Sequence, residues 1–389
     1  MDALKAELAE FQSLKDLKPL LAGEGPCLSA YVPLSPLPPN QSAKANLLLW
    51  KSTAKTLEEK LKQYGGNGRE LLASIADWDA VTQGEQPQGQ GVAAFRSPDV
   101  FRFTWIEEPV KSRAVAGPNF YIRPLLPELT NHKTFYLLAL SKKNVRMLRC
   151  TLRRSEEIPF PAGTVANYEE WMNTAKPDHV SAKSAATGPS SGGAKGPMST
   201  TSVERETQDQ YVAHFYRQID RGVNELLRGH VEPLVLVAVE QELALYRDVN
   251  TYPNLARETV QGAPNSLKAG EMHARAINAL LRCYENKVDS ALSEYDHKAG
   301  GGATNRLKEV LKAAHEGRVL TLMVSDSLEA TGSFDENTYV VKGRETGTSG
   351  DQDLVNDAVV QTILHAGQVL VAPNGKMPNG APAAAIYRF

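Results

Sequence analysis

Residues 211–239 read Y-V-A-H-F-Y-R-Q-I-D-R-G-V-N-E-L-L-R-G-H-V-E-P-L-V-L-V-A-V. Two periods meet in this stretch. Val212, Phe215, Tyr216, Ile219, Val223, Leu226 and Leu227 follow the three/four spacing of one helix face. After Pro233 the run Leu234–Val239 is apolar without a break, the mark of a strand buried on both faces. An earlier run, Phe135–Leu140, F-Y-L-L-A-L, has the same length and apolarity. Ser141-Lys142-Lys143-Asn144 turns it and Val145–Cys150 returns. Strand, helix and strand in succession predict a mostly parallel sheet flanked by helices.

Upstream of the helix lies a different kind of sequence, Ser181–Ser202, S-A-K-S-A-A-T-G-P-S-S-G-G-A-K-G-P-M-S-T-T-S. It holds Gly188, Gly192, Gly193 and Gly196, two prolines, Lys183 and Lys195, and no apolar period. Structureless loops of this length inside a folded chain are usually functional or are linkers. We read this one as an arm that orders against a polyanion. Its Gly/Ser-rich composition alone also fits a plain tether. A phosphate-cradling P-loop is a poor match. Gly188 and Gly193 have the interval, but Ala194 stands where lysine is needed, Lys195 is followed by Gly196, and no buried strand leads in.

Working outward, residues 1–22 read as an amphipathic helix, Cys27–Leu34 as a strand, and Ser42 as the cap of a helix running to about Tyr64. A second helix is read at Arg69–Val81. Strands at Gly91–Arg96 and Val100–Ile106 are joined by the hairpin signal Ser97-Pro98-Asp99, and Tyr121–Leu125 reads as a last strand. Beyond the opening stretch, Ile277, Leu280, Leu281, Tyr284, Val288, Ala291, Leu292 and Tyr295 mark one face of a long helix ended by Gly300–Gly302. Helices at Leu307–His315 and Leu354–Leu364 alternate with strands at Val319–Val324, Val369–Ala372 and Ala384–Phe389, around a polar excursion at Ser333–Asp351. The expectation is an α/β multidomain chain with domains 1–130, 131–265 and 266–389 and no internal repeat.

With 389 residues, 42% apolar and 23% charged, the chain has the composition of a globular protein of two or three domains. A net charge of −2 excludes a uniformly basic nucleic-acid binder and leaves local basic patches. Cys27, Cys150 and Cys283 are too few and too far apart for a disulfide framework or a zinc site. No signal peptide and no membrane span are read, and the expected location is cytoplasmic. No cofactor or metal is expected.

The candidate chemistry is thin. His214, His273, His315 and His365 show no ligand spacing, and surface or satisfied histidines are the preferred reading. No G-x-S-x-G turn activates a serine. Glu240, Glu242 and Asp248 follow a strand, a place where α/β active sites occur, but lack a partner motif and are read as surface or helix residues. Asp351-Gln352-Asp353 reads as a helix cap. The arginines say more. Arg205, Arg217, Arg221 and Arg228 recur along one helix after the arm, and Lys142, Lys143, Arg146, Arg149, Arg153 and Arg154 crowd the hairpin. They are either solvated faces or contacts to the phosphates of a large RNA, for which arginine is the apt side chain.

The order of parts resembles the archaeo-eukaryotic release factor and Pelota superfamily. The residues that carry the likeness are F-Y-L-L-A-L-S-K-K-N-V-R-M-L-R, the glycine-bearing loop, F-Y-R-Q-I-D-R-G-V-N-E-L-L, P-L-V-L-V-A-V, L-K-E-V-L-K-A-A-H-E-G-R-V-L-T-L-M-V and A-V-V-Q-T-I-L-H-A-G-Q-V-L-V-A-P. The likeness is strongest to the bacterial branch, which includes the hibernation factor Balon. It implies an α/β N-terminal domain on the decoding-centre side of the small subunit, an RNase H-like middle domain reaching the peptidyl-transferase centre, and an L7Ae-like C-terminal domain. It implies the ribosome as partner and a translational GTPase such as elongation factor Tu as a further one. Release factors carry Gly-Gly-Gln on the middle-domain loop; here Gly192-Gly193-Ala194-Lys195 keeps the glycines and puts Ala194 at the glutamine. Alanine neither donates nor accepts a hydrogen bond. The expectation is therefore a non-catalytic factor that occupies the A site, with Lys183, Gly192, Gly193, Ala194, Lys195, Gly196, Arg205, Arg217 and Arg221 against RNA. The alternatives are a peptidyl-tRNA hydrolase using arm backbone, Gln208 or Gln210, and an RNA-binding or nuclease-like module unrelated to ribosomes.

Overall fold

The computed structural model describes residues 5–9, 11, 13–21, 25–35, 39–62, 68–130, 134–151, 154–174, 200–343 and 352–389. Of residues 39–41, 68–69, 200–207 and 343 only the backbone is described. Packing divides the chain into two units, residues 1–132 with 286–389, and residues 133–285.

The N-terminal part of the first unit contains strands β1 (Glu7–Leu8), β2 (Cys27–Pro33), β3 (Gly91–Arg96), β4 (Phe101–Ile106) and β5 (Arg113–Gly117), in the order β1-β4-β3-β2-β5. Its helices are α1 (Lys18–Leu21), α2 (Pro39–Leu61), α3 (Gly68–Ala76), α4 (Trp78–Thr82) and α5 (Leu126–Thr130). The hairpin read at Ser97-Pro98-Asp99 joins β3 to β4 with Arg96 opposite Phe101. One sheet face, with Leu28, Val32, Phe101 and Phe103, packs on Trp50 and Leu57 of α2 and on Leu71 and Ile75 of α3. The other face, with Tyr31, Ala93 and Phe95, joins a larger core. Burial on both sides explains why β2 and β3 lack polar alternation.

Three local readings are corrected here. Residues 1–22 are not one helix: β1 pairs with β4, and only Leu14–Leu17, a 3-10 turn, and α1 are helical. The strand pairing and the burial of Ala6 and Phe11 override the helical spacing. Arg69–Val81 is two helices, because Asp77 caps a new start by accepting from the Asp79 and Ala80 amides. Tyr121–Leu125 is not a strand. Pro124 cannot donate to a ladder and sits in a 3-10 turn, Arg123–Leu125.

The second unit contains β6 (Thr134–Ala139), β7 (Arg146–Thr151), β8 (Ser155–Ile158), α6 (Tyr168–Thr174), α7 (Thr200–Leu226), β9 (Leu234–Ala238), α8 (Glu240–Val249), β10 (Leu255–Gln261) and the first half of α9 (Ala269–Lys298). Its sheet order is β10-β9-β6-β7-β8. An antiparallel meander, β6-β7-β8, is extended on the other side by β9 and β10, both parallel to their neighbours. Helices fill the crossovers, and this is the RNase H-like arrangement. Tyr136, Leu138, Leu234 and Leu236 face α7 and α8, whereas Phe135, Leu137, Val235 and Val237 face Met272, Ala276, Ala279 and Leu280 of α9. The boundary read at 265 thus precedes a helix whose first half belongs to the second unit, and packing divides the chain inside α9.

The rest of the first unit holds β11 (Ala303–Thr304), α10 (Leu307–His315), β12 (Val319–Ser325), β13 (Thr331–Asp335), β14 (Val340–Gly343), β15 (Gln352–Asp353), α11 (Leu354–Leu364), β16 (Gln368–Ala372) and β17 (Ala383–Tyr387). Its main sheet runs β11-β17-β12-β16, the mixed order of an L7Ae-like domain. The stretch read as a polar excursion forms the β13–β14 hairpin, and residues 344–351 lie outside the described ones. Asp353 caps α11 by accepting from the Val355 amide, as read; Asp351 is not described. Val310, Leu322, Val324, Val355, Val359 and Ile363 share one core with Tyr31, Phe95, Phe120 and Ile122 from the N-terminal part. Polar ties cross this seam: Arg123 pairs with Asp353 at 2.7 Å, and Arg113 with Glu329 at 2.5 Å. The Arg113 hydrogen bond, against partial burial, holds the Glu329 carboxyl below its ordinary range.

Candidate nucleic-acid interface

α7 is amphipathic by construction. Val212, Phe215, Tyr216, Ile219 and Val223 are buried against the sheet. Arg217 and Arg221, one turn apart, are exposed on the opposite side, and Arg228 is exposed just past the helix end. None of the three pairs with a carboxylate among the described residues. Arg217 lies 3.4 Å from the Nδ1 atom of His214. Two or three guanidinium forks on one rigid helix can each take a phosphate by paired hydrogen bonds.

The loop before α6 is fastened to the same helix. Gln218 donates to the Val165 carbonyl at 2.5 Å and accepts from its amide at 3.2 Å. Gly222 lets the loop come close: a Cβ there would stand 2.6 Å from the Thr164 hydroxyl oxygen. Tyr168 and Trp171 of the α6 segment then pack on Phe215, with ring centroids 5.6 and 5.8 Å away. Thus α6, the last described element before the arm, is anchored to the arginine-bearing helix.

Of the residues expected against RNA, Arg217 and Arg221 are brought together on an exposed face. Lys183, Gly192, Gly193, Ala194, Lys195 and Gly196 lie outside the described residues, and Arg205 is placed on α7 by its backbone alone. The hairpin cations are less available than their number suggests. Arg146 pairs with Glu157 at 2.7 Å, and Arg149 stands opposite Glu156 across the β7–β8 ladder. Lys142 lies 3.8 Å from Glu242. β8 supplies the acids that offset the β7 arginines.

Sequence reasoning missed two buried polar networks. Glu242 is 8% exposed, not a surface residue, because the Tyr216 hydroxyl donates to it. Burial and the Glu242 carboxylate hold the Tyr216 phenol far above its ordinary range. Asp220, also buried, accepts from the Thr251 amide at 3.1 Å and the Thr251 hydroxyl at 2.6 Å, with Tyr246 at 3.4 Å. Asp220 sits at the edge of the apolar arc, one turn from Tyr216 and from Val223, and that position was its signal. Both networks are satisfied and structural.

The histidines are satisfied as read. His273 meets the Thr151 carbonyl at 2.6 Å, His315 meets Asp357 at 2.9 Å, and His365 meets the Gln361 carbonyl at 2.9 Å. Among the described residues no three His, Cys, Asp or Glu side chains gather to hold a metal, and no helix is long and apolar enough to cross a membrane. Burial pushes the Cys27 and Cys150 thiols up to about 12, which leaves no thiolate at neutral pH.

Residues 134–318 match the family model of bacterial archaeo-eukaryotic release factor family 3. No curated protein matches the chain. Among solved structures the chain is similar to an archaeal translation termination factor, aRF1, at 16% identity, covering 97% of this chain and 96% of that one with a TM-score of 0.24. It is similar to Pelota of Archaeoglobus fulgidus at 11% identity over 99% and 94% of the two chains, TM-score 0.31. It is similar to Dom34 of S. cerevisiae, a translation termination-like factor of RNA quality control that interacts with Hbs1, at 10% identity over 80% and 77%, TM-score 0.37. The family match, which holds the whole described RNase H-like sheet, supports the bacterial archaeo-eukaryotic release factor superfamily.

Proposed function

We propose that this chain is a ribosome-binding translation factor that occupies the A site without releasing peptide, a hibernation or protection factor of the kind that Balon represents. The observation that carries the reading is the release-factor family match across residues 134–318. The exposed Arg217 and Arg221 of α7 fall inside that region, and neither pairs with a carboxylate among the described residues. Ala194, where release factors have glutamine, removes the side chain that would position water. On this reading the N-terminal part faces the decoding centre, the arm reaches toward the peptidyl-transferase centre, and a translational GTPase such as elongation factor Tu delivers the protein. Gly192-Gly193 keeps a second reading open, a peptidyl-tRNA hydrolase that orders water through arm backbone.

Cosedimentation with purified ribosomes over a salt series tests the binding claim. Affinity should fall steeply with salt, since counterion release accompanies every phosphate contact. Arg217→Glu with Arg221→Glu should weaken binding by about tenfold or more for each arginine that meets a phosphate. It should also lower the salt slope by about one per lost contact. Unchanged sedimentation of the folded double variant removes α7 as the contact surface.

A further inference from the structure

A second exposed surface lies on α2, in the first unit. Its inner face is committed: Asn46, Trp50, Thr53 and Leu57 are buried, and the Trp50 indole donates to the Ile75 carbonyl at 3.0 Å. Its outer face carries Lys44, Leu48, Lys51 and Lys55 at i, i+4, i+7 and i+11, a single stripe. All three lysines are exposed, and none forms an ion pair among the described residues. Acids on the helix begin only at Glu58 and Glu59, and Glu58 is held 3.4 Å from Lys62. In the middle of the lysine row Leu48 is 71% exposed, and Leu47 and Leu49 are 37% exposed on either side.

The two chemistries on this face need one partner that answers both. A nucleic-acid strand satisfies the lysines but sets Leu48 against hydrated phosphates, where its burial returns little. A neutral apolar surface takes the leucines but strips water from three lysines without compensation. An apolar contact ringed by carboxylates meets both demands, with the leucine at the centre and the charges at the rim. We infer that the outer face of α2 docks an acidic protein segment that presents an apolar contact to Leu48. The inference rests on the ribosome reading, in that the partner belongs to the assembly this chain joins.

The test uses the full chain with a photo-crosslinking residue in place of Leu48, irradiated on purified ribosomes, with cosedimentation read from the same samples. The expected result is a crosslink to protein, mapped to a segment rich in Asp and Glu. Lys44→Glu, Lys51→Glu and Lys55→Glu together should cut its yield about tenfold, as loss of the charged rim predicts. These exposed side chains leave the unfolding midpoint in place, so a misfolded variant is recognised directly. Cosedimentation with a crosslink to RNA, to a segment without acids, or to nothing overturns this inference and spares the ribosome reading. Failure to cosediment overturns both.

Discussion

Asn356 is the side chain whose loss should tell most about the first unit. It lies buried on α11, and both ends of its amide are used by a segment more than two hundred residues earlier. Its carbonyl accepts from the Ile122 amide at 2.8 Å, and its NH2 group donates to the Phe120 carbonyl at 3.0 Å. Asn356→Leu keeps the volume and orphans two buried backbone groups. At about 1–3 kcal/mol for each such group, the ceiling is about 6 kcal/mol, and partial access of water brings the expected loss to about 3 kcal/mol. The assay is urea unfolding followed by tryptophan fluorescence in a Trp171→Phe background. Trp50, Trp78 and Trp105 then report on the first unit alone, since Trp171 is the one tryptophan of the second. Asn356→Asp makes the sign testable. Its ionised carboxylate would face the Phe120 carbonyl in a buried site close to Asp353 and Asp357, whereas its protonated form can still donate. Its folded pKa is therefore raised, and its stability relative to the natural chain should be greatest at low pH and fall as pH rises through that value. A loss under about 1 kcal/mol for Asn356→Leu, below the cost of even one orphaned group, refutes the account of the seam.

Other perturbations probe the second unit and the titratable groups. Gly222→Ala would normally stabilise a helix by about 1 kcal/mol, but its methyl group meets Thr164, so a net loss of about 1–2 kcal/mol is expected. Thr164→Ala should restore it, and thermal unfolding of the single and double variants decides. Burial disfavours the charge on His315, but the hydrogen bond and charge of Asp357, with Glu336, outweigh it and hold the imidazolium above its ordinary pKa. Its contribution to stability is full below the unfolded value of about 6.5 and is lost as pH rises through the folded value. The stability gap between the natural chain and His315→Gln should therefore close with rising pH in urea titrations. A gap that widens above neutrality contradicts the pairing with Asp357.

The parts of the fold that were legible are those whose burial is written into local spacing. The runs read at Phe135–Leu140 and Leu234–Val239 contain the strands β6 (Thr134–Ala139) and β9 (Leu234–Ala238), covered on both faces, so they have no polar gaps. The face of α7 was legible for the same reason, and with it the outward direction of Arg217 and Arg221. What failed depends on partners far along the chain. β1 is a strand only because β4 lies beside it, and Glu242 is buried only because Tyr216 approaches from another helix. The basic hairpin reads as either a solvated face or a phosphate surface, and its spacing does not show that β8 sets Glu156 and Glu157 against β7. The shared core of residues 1–132 and 286–389 leaves no local mark, since each half has an ordinary apolar pattern of its own.

Peptide release by the ribosome-bound chain separates a factor that only occupies the A site from a hydrolase. Purified chain is added to ribosomes carrying peptidyl-tRNA, at a concentration where cosedimentation shows the chain bound, and free peptide is counted against time. The account predicts bound protein and background release, with Ala194→Gln the variant in which any activity should first appear. Release by the natural chain above background, abolished when residues 181–202 are deleted, contradicts the account and establishes the hydrolase.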